Sequence, residues 1–162
     1  MSKYIMIIRK AKKSDFEEWF KLEKQFMVFQ NKFLNKEMKY KLVKPEIKKY
    51  FMKLIYRKNN LFLVLEDKSK LYGYFEGVIE GGESKAYVSK VKKIGYANNC
   101  FISKSQRGKS YFSKFIKEFY KYLKEHKIKY CVLHVNKNNP AVDAYRKWGF
   151  KVSEYKMLAR VK

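Results

Sequence analysis

The chain predicts a mixed α/β fold of the α+β kind, a sheet with helices on both faces, and three observations carry the prediction. Two apolar runs have strand length, Leu61–Leu65 and Tyr130–Val135. Between them Phe112, Phe115, Ile116, Phe119, Tyr122 and Leu123 recur at helical spacing. The later half of the chain then reads strand, turn, helix, strand, helix, strand, an order that closes as a mixed sheet. At 162 residues the length suits one domain, residues 1–162, around a single core.

In order along the chain, Tyr4 to Arg9 is β-rich and reads as an opening strand. Ser14 then offers an N-cap with Glu17 as its capping-box partner, ahead of an apolar series at Phe16, Trp19, Phe20, Leu22 and Phe26. Glu23 interrupts that series. The helix should end near Met27 to Asn31, and a Lys-rich connection runs from Gln30 to Lys44. Pro45 suits the first turn of a second helix, with Ile47, Tyr50, Phe51, Leu54 and Ile55 on one face.

Leu61–Leu65 is continuous enough to be buried on both faces. Glu66 to Lys70 forms a turn to a hairpin partner, Leu71 to Ile79; Gly81 to Ser84 marks a second turn before a strand at Ala86 to Lys92. Ile94 to Ser103 is a further strand that feeds the turn Gln106 to Ser110. After the long helix and the Tyr130–Val135 strand, Ala141 to Trp148 is a short helix stopped by Gly149, and Phe150 to Val161 is a final strand pair.

Composition narrows the function classes. A hydrophobic content of 46%, with 14 Tyr and 13 Phe, gives a folded core despite a formal net charge of +24. No apolar run has the length of a bilayer span, and the N-terminal residues lack a signal-peptide pattern, so a cytoplasmic protein without a membrane partner is expected. Cys100 and Cys131 sit in no C-x-x-C or Cys/His pattern, which leaves them as reduced core residues and gives no metal site. The positive charge is almost all Lys, spread along the chain, whereas bidentate phosphate and base recognition favours Arg. A genome-wide bias toward Lys, Asn, Ile, Tyr and Phe codons gives the same composition and is favoured over a nucleic-acid or ribosome partner.

A strand that ends directly in a helix leaves backbone N–H groups unpaired at the positive end of the helix dipole, where anions bind. The segment Q-R-G-K-S-Y-F from Gln106 to Phe112 has this form, with Gly108 to bend the backbone and Arg107 and Lys109 to add charge. Further on stands N-N-P-A-V-D-A-Y-R-K-W-G-F, from Asn138 to Phe150. These two segments resemble the signature motifs of the GNAT-type N-acetyltransferases: the pyrophosphate loop Arg-x-x-Gly-x-Gly/Ala, and Asn-x-x-Ala followed by Tyr and Gly-Phe. The likeness extends over nearly the whole chain, through the opening I-I-R-K-A-K-K-S-D-F and the hairpin N-L-F-L-V-L-E-D-K-S-K-L-Y-G-Y-F. In two places the loop departs from the family form. Ser110 replaces the central Gly and Phe112 replaces Gly or Ala, so the Phe112 ring must turn into the core or away from the phosphates.

The resemblance implies a central mixed, mostly antiparallel sheet with a splayed parallel strand pair and helices on both faces. It also implies acetyl-CoA as acetyl donor and direct attack by a primary amine, whether a peptide N-terminus, a lysine or a small-molecule amine. Carried onto this sequence, Tyr145 is the acid that protonates the coenzyme A sulfur. Arg107, Gly108, Lys109, Ser110, Tyr111 and Phe112 hold the pyrophosphate. The backbone of Cys100, Phe101 and Ile102 polarises the acetyl carbonyl and pairs with pantetheine, and Asn138 bonds the pantetheine arm or caps the short helix. Phe26 to Lys44 shapes the acceptor pocket.

The base stays open. Asn98 and Asn99 stand where the family often has a carboxylate, and an amide accepts no proton at neutral pH. The alternatives are Glu76 or Glu80, His134, a water held by Asn98 or Asn99, or an amine that arrives neutral. Glu76, alternating with Tyr74 and Val78, reads equally as a solvated sheet residue. The competing function is a catalytically degenerate module of the same fold that binds RNA or a ribosome through its Lys-rich surface. A monomer or homodimer fits either.

Overall fold

The computed structural model describes residues 6–81 and 90–159. Its sheet has the order β1 (Ile7–Lys10), β2 (Asn60–Asp67), β3 (Lys70–Gly81), β4 (Lys93–Ile102), β5 (Cys131–Val132). The first four strands run antiparallel to their neighbours, and β5 lies parallel to β4. Helices α1 (Phe16–Gln30) and α2 (Lys44–Tyr56) pack on one face. On the other lies α3 (Tyr111–Glu125), and the short α4 (Ala141–Lys147) follows β5.

The alternation of β3 sorts the two cores. Tyr74 and Val64 point to the α1/α2 face, with Trp19, Phe51 and Phe62 crowded at ring separations from 4.9 Å for Trp19–Phe51 upward. Phe75 points the opposite way, onto Phe115 and Phe119 of α3. That helix lies so close that a Cβ added at Gly77 would fall 2.5 Å from the Phe119 ring. The β2–β3 hairpin turns on Lys68 and Ser69, both left-handed at φ 47° and 66°, the geometry that matches the twist of the paired strands.

α1 starts differently from the Ser14 capping box. Residues Lys13–Asp15 form a 3-10 turn, and no side-chain cap bond forms from Ser14. Instead the Asp15 carboxylate accepts the Lys12 backbone N–H at 2.7 Å and two guanidinium N–H groups of Arg9 at 2.7 and 2.9 Å. Arg9 also pairs with Glu66 across β1 and β2. A carboxylate offers a bidentate, charge-assisted contact that a serine hydroxyl cannot match. Burial pushes the Asp15 carboxyl up, but the Arg9 and Lys12 hydrogen bonds outweigh it and hold the group below its usual range.

Other expectations need adjustment at the ends. Of the opening strand, Tyr4 and Ile5 lie outside the described residues, as does most of the expected strand Ala86–Lys92. The Tyr130–Val135 strand shortens to Cys131–Val132 and is half-buried rather than buried. Of the expected strand pair Phe150–Val161, residues 151–159 carry no strand and lie exposed, and Arg160 and Val161 lie outside the described residues. With so short a β5, no long edge is on offer for them to extend. Cys100 and Cys131 are free thiols.

Two measurements check this architecture. Phe51→Ala removes a ring with no exposed surface, and urea unfolding should register a loss of about 3–5 kcal/mol. Asp15→Asn should lower stability at neutral pH and flatten the acid limb of the stability curve. The stabilisation from a carboxyl with a depressed folded pKa is complete above its unfolded value of about 4, and drains as pH falls through the folded value. Equal acid sensitivity in both proteins would exclude the Arg9–Asp15 pair as its source.

Candidate functional site: a gap in the sheet

β4 is paired along one edge with β3 from Gly81↔Lys93 to Gly73↔Ile102. On its other edge β5 pairs only at Gly95 and Tyr96. From Ala97 to Ile102 that second edge has no strand beside it among the described residues, so backbone N–H and C=O groups there face an opening. Neighbouring residues of a strand turn their backbone groups to opposite edges: the Ser103 N–H bonds the Tyr72 carbonyl of β3 at 2.8 Å, so of the expected donors Phe101 faces β3, while Cys100 and Ile102 face the opening.

At the end of β4 the chain passes through a 3-10 turn, Lys104–Gln106, into the loop before α3. Gly108 and Ser110 both take left-handed backbone, at φ 75° and 62°. Ser110 therefore adopts the conformation that glycine holds without strain, at an order of 1 kcal/mol. Alternating hands turn successive amides toward one side, the arrangement of an anion nest. Among the described residues no carbonyl takes the N–H groups of Gly108, Lys109, Ser110, Tyr111, Phe112 or Ser113; the first bond is Lys114 N–H to the Ser110 carbonyl at 3.2 Å. A Cβ built on Gly108 meets nothing within 4 Å, so it is the positive φ and not crowding that calls for glycine there. Arg107 is placed differently from its neighbours. Its N–H bonds the Lys104 carbonyl at 3.4 Å, its Nε donates to the Ile102 carbonyl at 2.9 Å, and its guanidinium lies 5.6 Å from the Phe29 and Phe101 rings. It braces the strand end against α1.

Phe112 turns into the α3-side core and meets Tyr145 edge-on at 5.4 Å, which clears its bulk from the loop. Tyr145, on α4, is wedged between Phe112 and Phe150. Burial pushes its phenol well above the usual range, and the neighbouring Cys100 adds to the shift. α4 is capped by Asn139, whose side-chain oxygen accepts the Ala141 N–H at 2.9 Å, and not by Asn138. Asn139 sits nearer the helix start, which leaves the exposed Asn138 side chain free of that duty.

On the opposite, α1/α2 face of β4 lies a cluster that sequence reading found only in part. A bulge in β4 inserts Asn98 between the Gly77↔Ala97 and Glu76↔Asn99 pairs. Both side-chain amides donate to Glu76, Asn98 Nδ2 to Oε1 at 3.1 Å and Asn99 Nδ2 to Oε2 at 3.0 Å. The Tyr50 hydroxyl of α2 donates to Oε2 at 2.7 Å. Glu76 is thus no solvated sheet residue: it is 2% exposed. Beside it the Tyr74 hydroxyl donates to Glu23, and burial together with the Glu76 charge raises the Glu23 carboxyl. Tyr50 and Glu23 were missed as site residues, although Glu23 breaking an apolar helical face was a usable signal.

The other base candidates are placed elsewhere. Glu80 pairs with Arg57 at 2.9 Å, and His134 is exposed on the segment after β5. Among the described residues no group of three or more metal-ligating side chains occurs, and no helix is long and apolar enough to cross a membrane.

Comparison with known proteins agrees with this geometry. A model described as the Acetyltransferase (GNAT) family matches residues 14–150. Among solved structures, the aminoglycoside N-acetyltransferase AAC(6')-Iy in complex with CoA superposes with a TM-score of 0.75 at 13% identity, over 99% of this chain and 97% of that one. A predicted acetyltransferase with acetyl-CoA from Clostridium acetobutylicum gives 0.75 at 17% identity, over 96% of each chain. The aminoglycoside 6'-N-acetyltransferase AAC(6')-IG from Acinetobacter haemolyticus gives 0.72 at 14%, over 96% and 98%. No curated protein sequence matches the chain.

Cys100 lies on the α3 side of the opening, close enough to Tyr145 to act on its charge, so its reactivity decides whether the site holds a nucleophile. Burial pushes its thiol up to about 12. Because only the thiolate attacks, alkylation by iodoacetamide at pH 8 should be much slower at Cys100 than at a free thiol in solution. Fast labelling at Cys100, read by peptide mass, would reopen a covalent acyl-cysteine route.

Proposed function

The chain belongs to the GNAT acetyltransferase family, and from that membership we propose that it transfers the acetyl group of acetyl-CoA to a primary amine by direct attack. The acceptor class includes a peptide N-terminus, a lysine side chain and a small-molecule amine. One observation carries the reading: the opening beside β4 has an acid on one face, Tyr145, and a polar cluster reaching solvent on the other, Asn98 and Asn99 over Glu76. A thioester threaded through that opening meets both.

Each group then has work suited to its surroundings. The N–H groups from Gly108 to Ser113 bind the pyrophosphate, aided by Lys109. The free edge from Ala97 to Ile102 takes the pantetheine amides as an added strand does, and its N–H groups face the acetyl oxygen where negative charge develops. Asn138 supports the same arm. Tyr145, kept protonated by its burial, gives its proton to the departing thiolate. The high thiol pKa of Cys100 disfavours an acyl-enzyme and so favours direct attack by the amine. Bound CoA and acetyl-CoA in structural neighbours support the donor. With Phe112 turned from the loop, the steric ground for a degenerate module is removed.

Acetyl-CoA at a hundredfold excess over its Kd should stabilise the protein by about 2.7 kcal/mol, a shift of several degrees in Tm. Absence of a shift at millimolar cofactor would end the reading. Tyr145→Phe should lower kcat by roughly 10²-fold and leave the acetyl-CoA-induced Tm shift intact; unchanged turnover would remove Tyr145 from the acid role.

A further inference from the structure

We propose that the side-chain oxygens of Asn98 and Asn99, aimed outward by Glu76, form the seat at which the acceptor's primary amine arrives as its ammonium, to lose one proton to solvent water before it attacks. This rests on the acetyl-transfer reading and names the head group that its acceptor must carry.

The orientation follows from donor and acceptor chemistry. A carboxylate only accepts, so an Asn that bonds it must present Nδ2, and its Oδ1 then points the other way. Both amides are held like this by one carboxylate. Among the described residues no donor meets either Oδ1, and Asn98 is exposed while Asn99 is half-buried. Two carbonyl oxygens are therefore left on the sides of the amides turned from Glu76, each able to accept an N–H.

Charge selects among the donors that could use them. Directly beneath is the carboxylate of Glu76, with Glu23 behind it. Arg57, whose charge acts on Tyr50 of this cluster, is itself paired with Glu80 at 2.9 Å. In a chain with a net charge of +24, this is a local site for a cation. Two acceptors over negative charge match a group with at least two N–H donors and a positive charge. A primary ammonium has three; a protonated tertiary amine has the charge but one donor, and a hydroxyl has one donor and no charge.

Glu76 is then a positioning residue. In Glu76→Gln the new amide can donate to one Asn oxygen, which turns that Asn round and presents its NH₂ to the ligand, converting attraction to repulsion. Benzylamine, N,N-dimethylbenzylamine and benzyl alcohol are suitable probes, titrated with and without coenzyme A. Wild type should bind benzylamine about tenfold tighter than either analogue, the scale of one hydrogen bond to a charged group. Glu76→Gln should abolish that preference while its coenzyme A affinity stays within twofold. Asn98→Ala, at an exposed position, should weaken benzylamine about tenfold without touching the fold or the binding of benzyl alcohol. A preference retained in Asn98→Ala, or equal binding of benzylamine and its dimethyl analogue by wild type, overturns the seat. Failure of coenzyme A to bind sinks the transfer reading instead, and the amine titration without it still decides this one.

Discussion

β4 has a partner along the whole of one edge and for only two residues of the other, and that asymmetry governs the molecule. A buried strand edge without a partner is costly, because each unpaired N–H or C=O loses its bond to water without replacement. The fold tolerates this one because it lies beside an opening. Close packing sets α3 on the paired part of the sheet: Phe119 fills the space above Gly77 of β3, and Leu123 fills that above Gly95 of β4, where an added Cβ would come within 2.6 Å. α3 is thereby drawn tight against the paired half of β4, and α4, beyond β5, carries Tyr145 into contact with Phe112 at the start of α3. The loop, the edge and the phenol are consequences of one departure from regular pairing.

Much of this was legible because it is local. Leu61–Leu65, the Pro45 helix and the apolar stripe of α3 each announce themselves by period or by a fixed dihedral, and each formed as expected. The loop was legible from Gly108 and its position between strand and helix. What escaped was long-range. Nothing in the local pattern around Ser14 shows that Arg9 will reach Asp15 and Glu66 together, which moves the helix start. Nor does strand alternation reveal that a bulge brings Asn98 and Asn99 to one carboxylate on the neighbouring strand. The C-terminal residues read as strands by composition, yet a strand is a property of two segments, and β5 offers too little edge.

The two charge signals of the chain act at different distances. Lysines on the surface set a positive field that salt screens within about 8 Å at physiological ionic strength. The carboxylates of Glu23 and Glu76 lie beneath that layer, where screening is weak and their effect is confined to what enters the cluster. A basic protein can therefore hold a cation at one place. Net charge governs encounter, and the buried pair governs what stays.

The same electrostatics explains why amides occupy positions 98 and 99. Burial raises the Glu23 carboxyl, and the Glu76 charge adds to that shift. A third carboxylate at 99, at hydrogen-bonding range of Glu76, would meet a like charge at a cost of about 4 kcal/mol for 4 Å at an effective dielectric constant of 20. It would be protonated or displaced, and in either state it would break the bonds that now satisfy Glu76. Asn supplies donors inward and a neutral acceptor outward at once. Moving the negative charge one strand back, onto Glu76, keeps it buried, fully bonded by Tyr50, Asn98 and Asn99, and still felt at the mouth of the opening through two oriented amide dipoles.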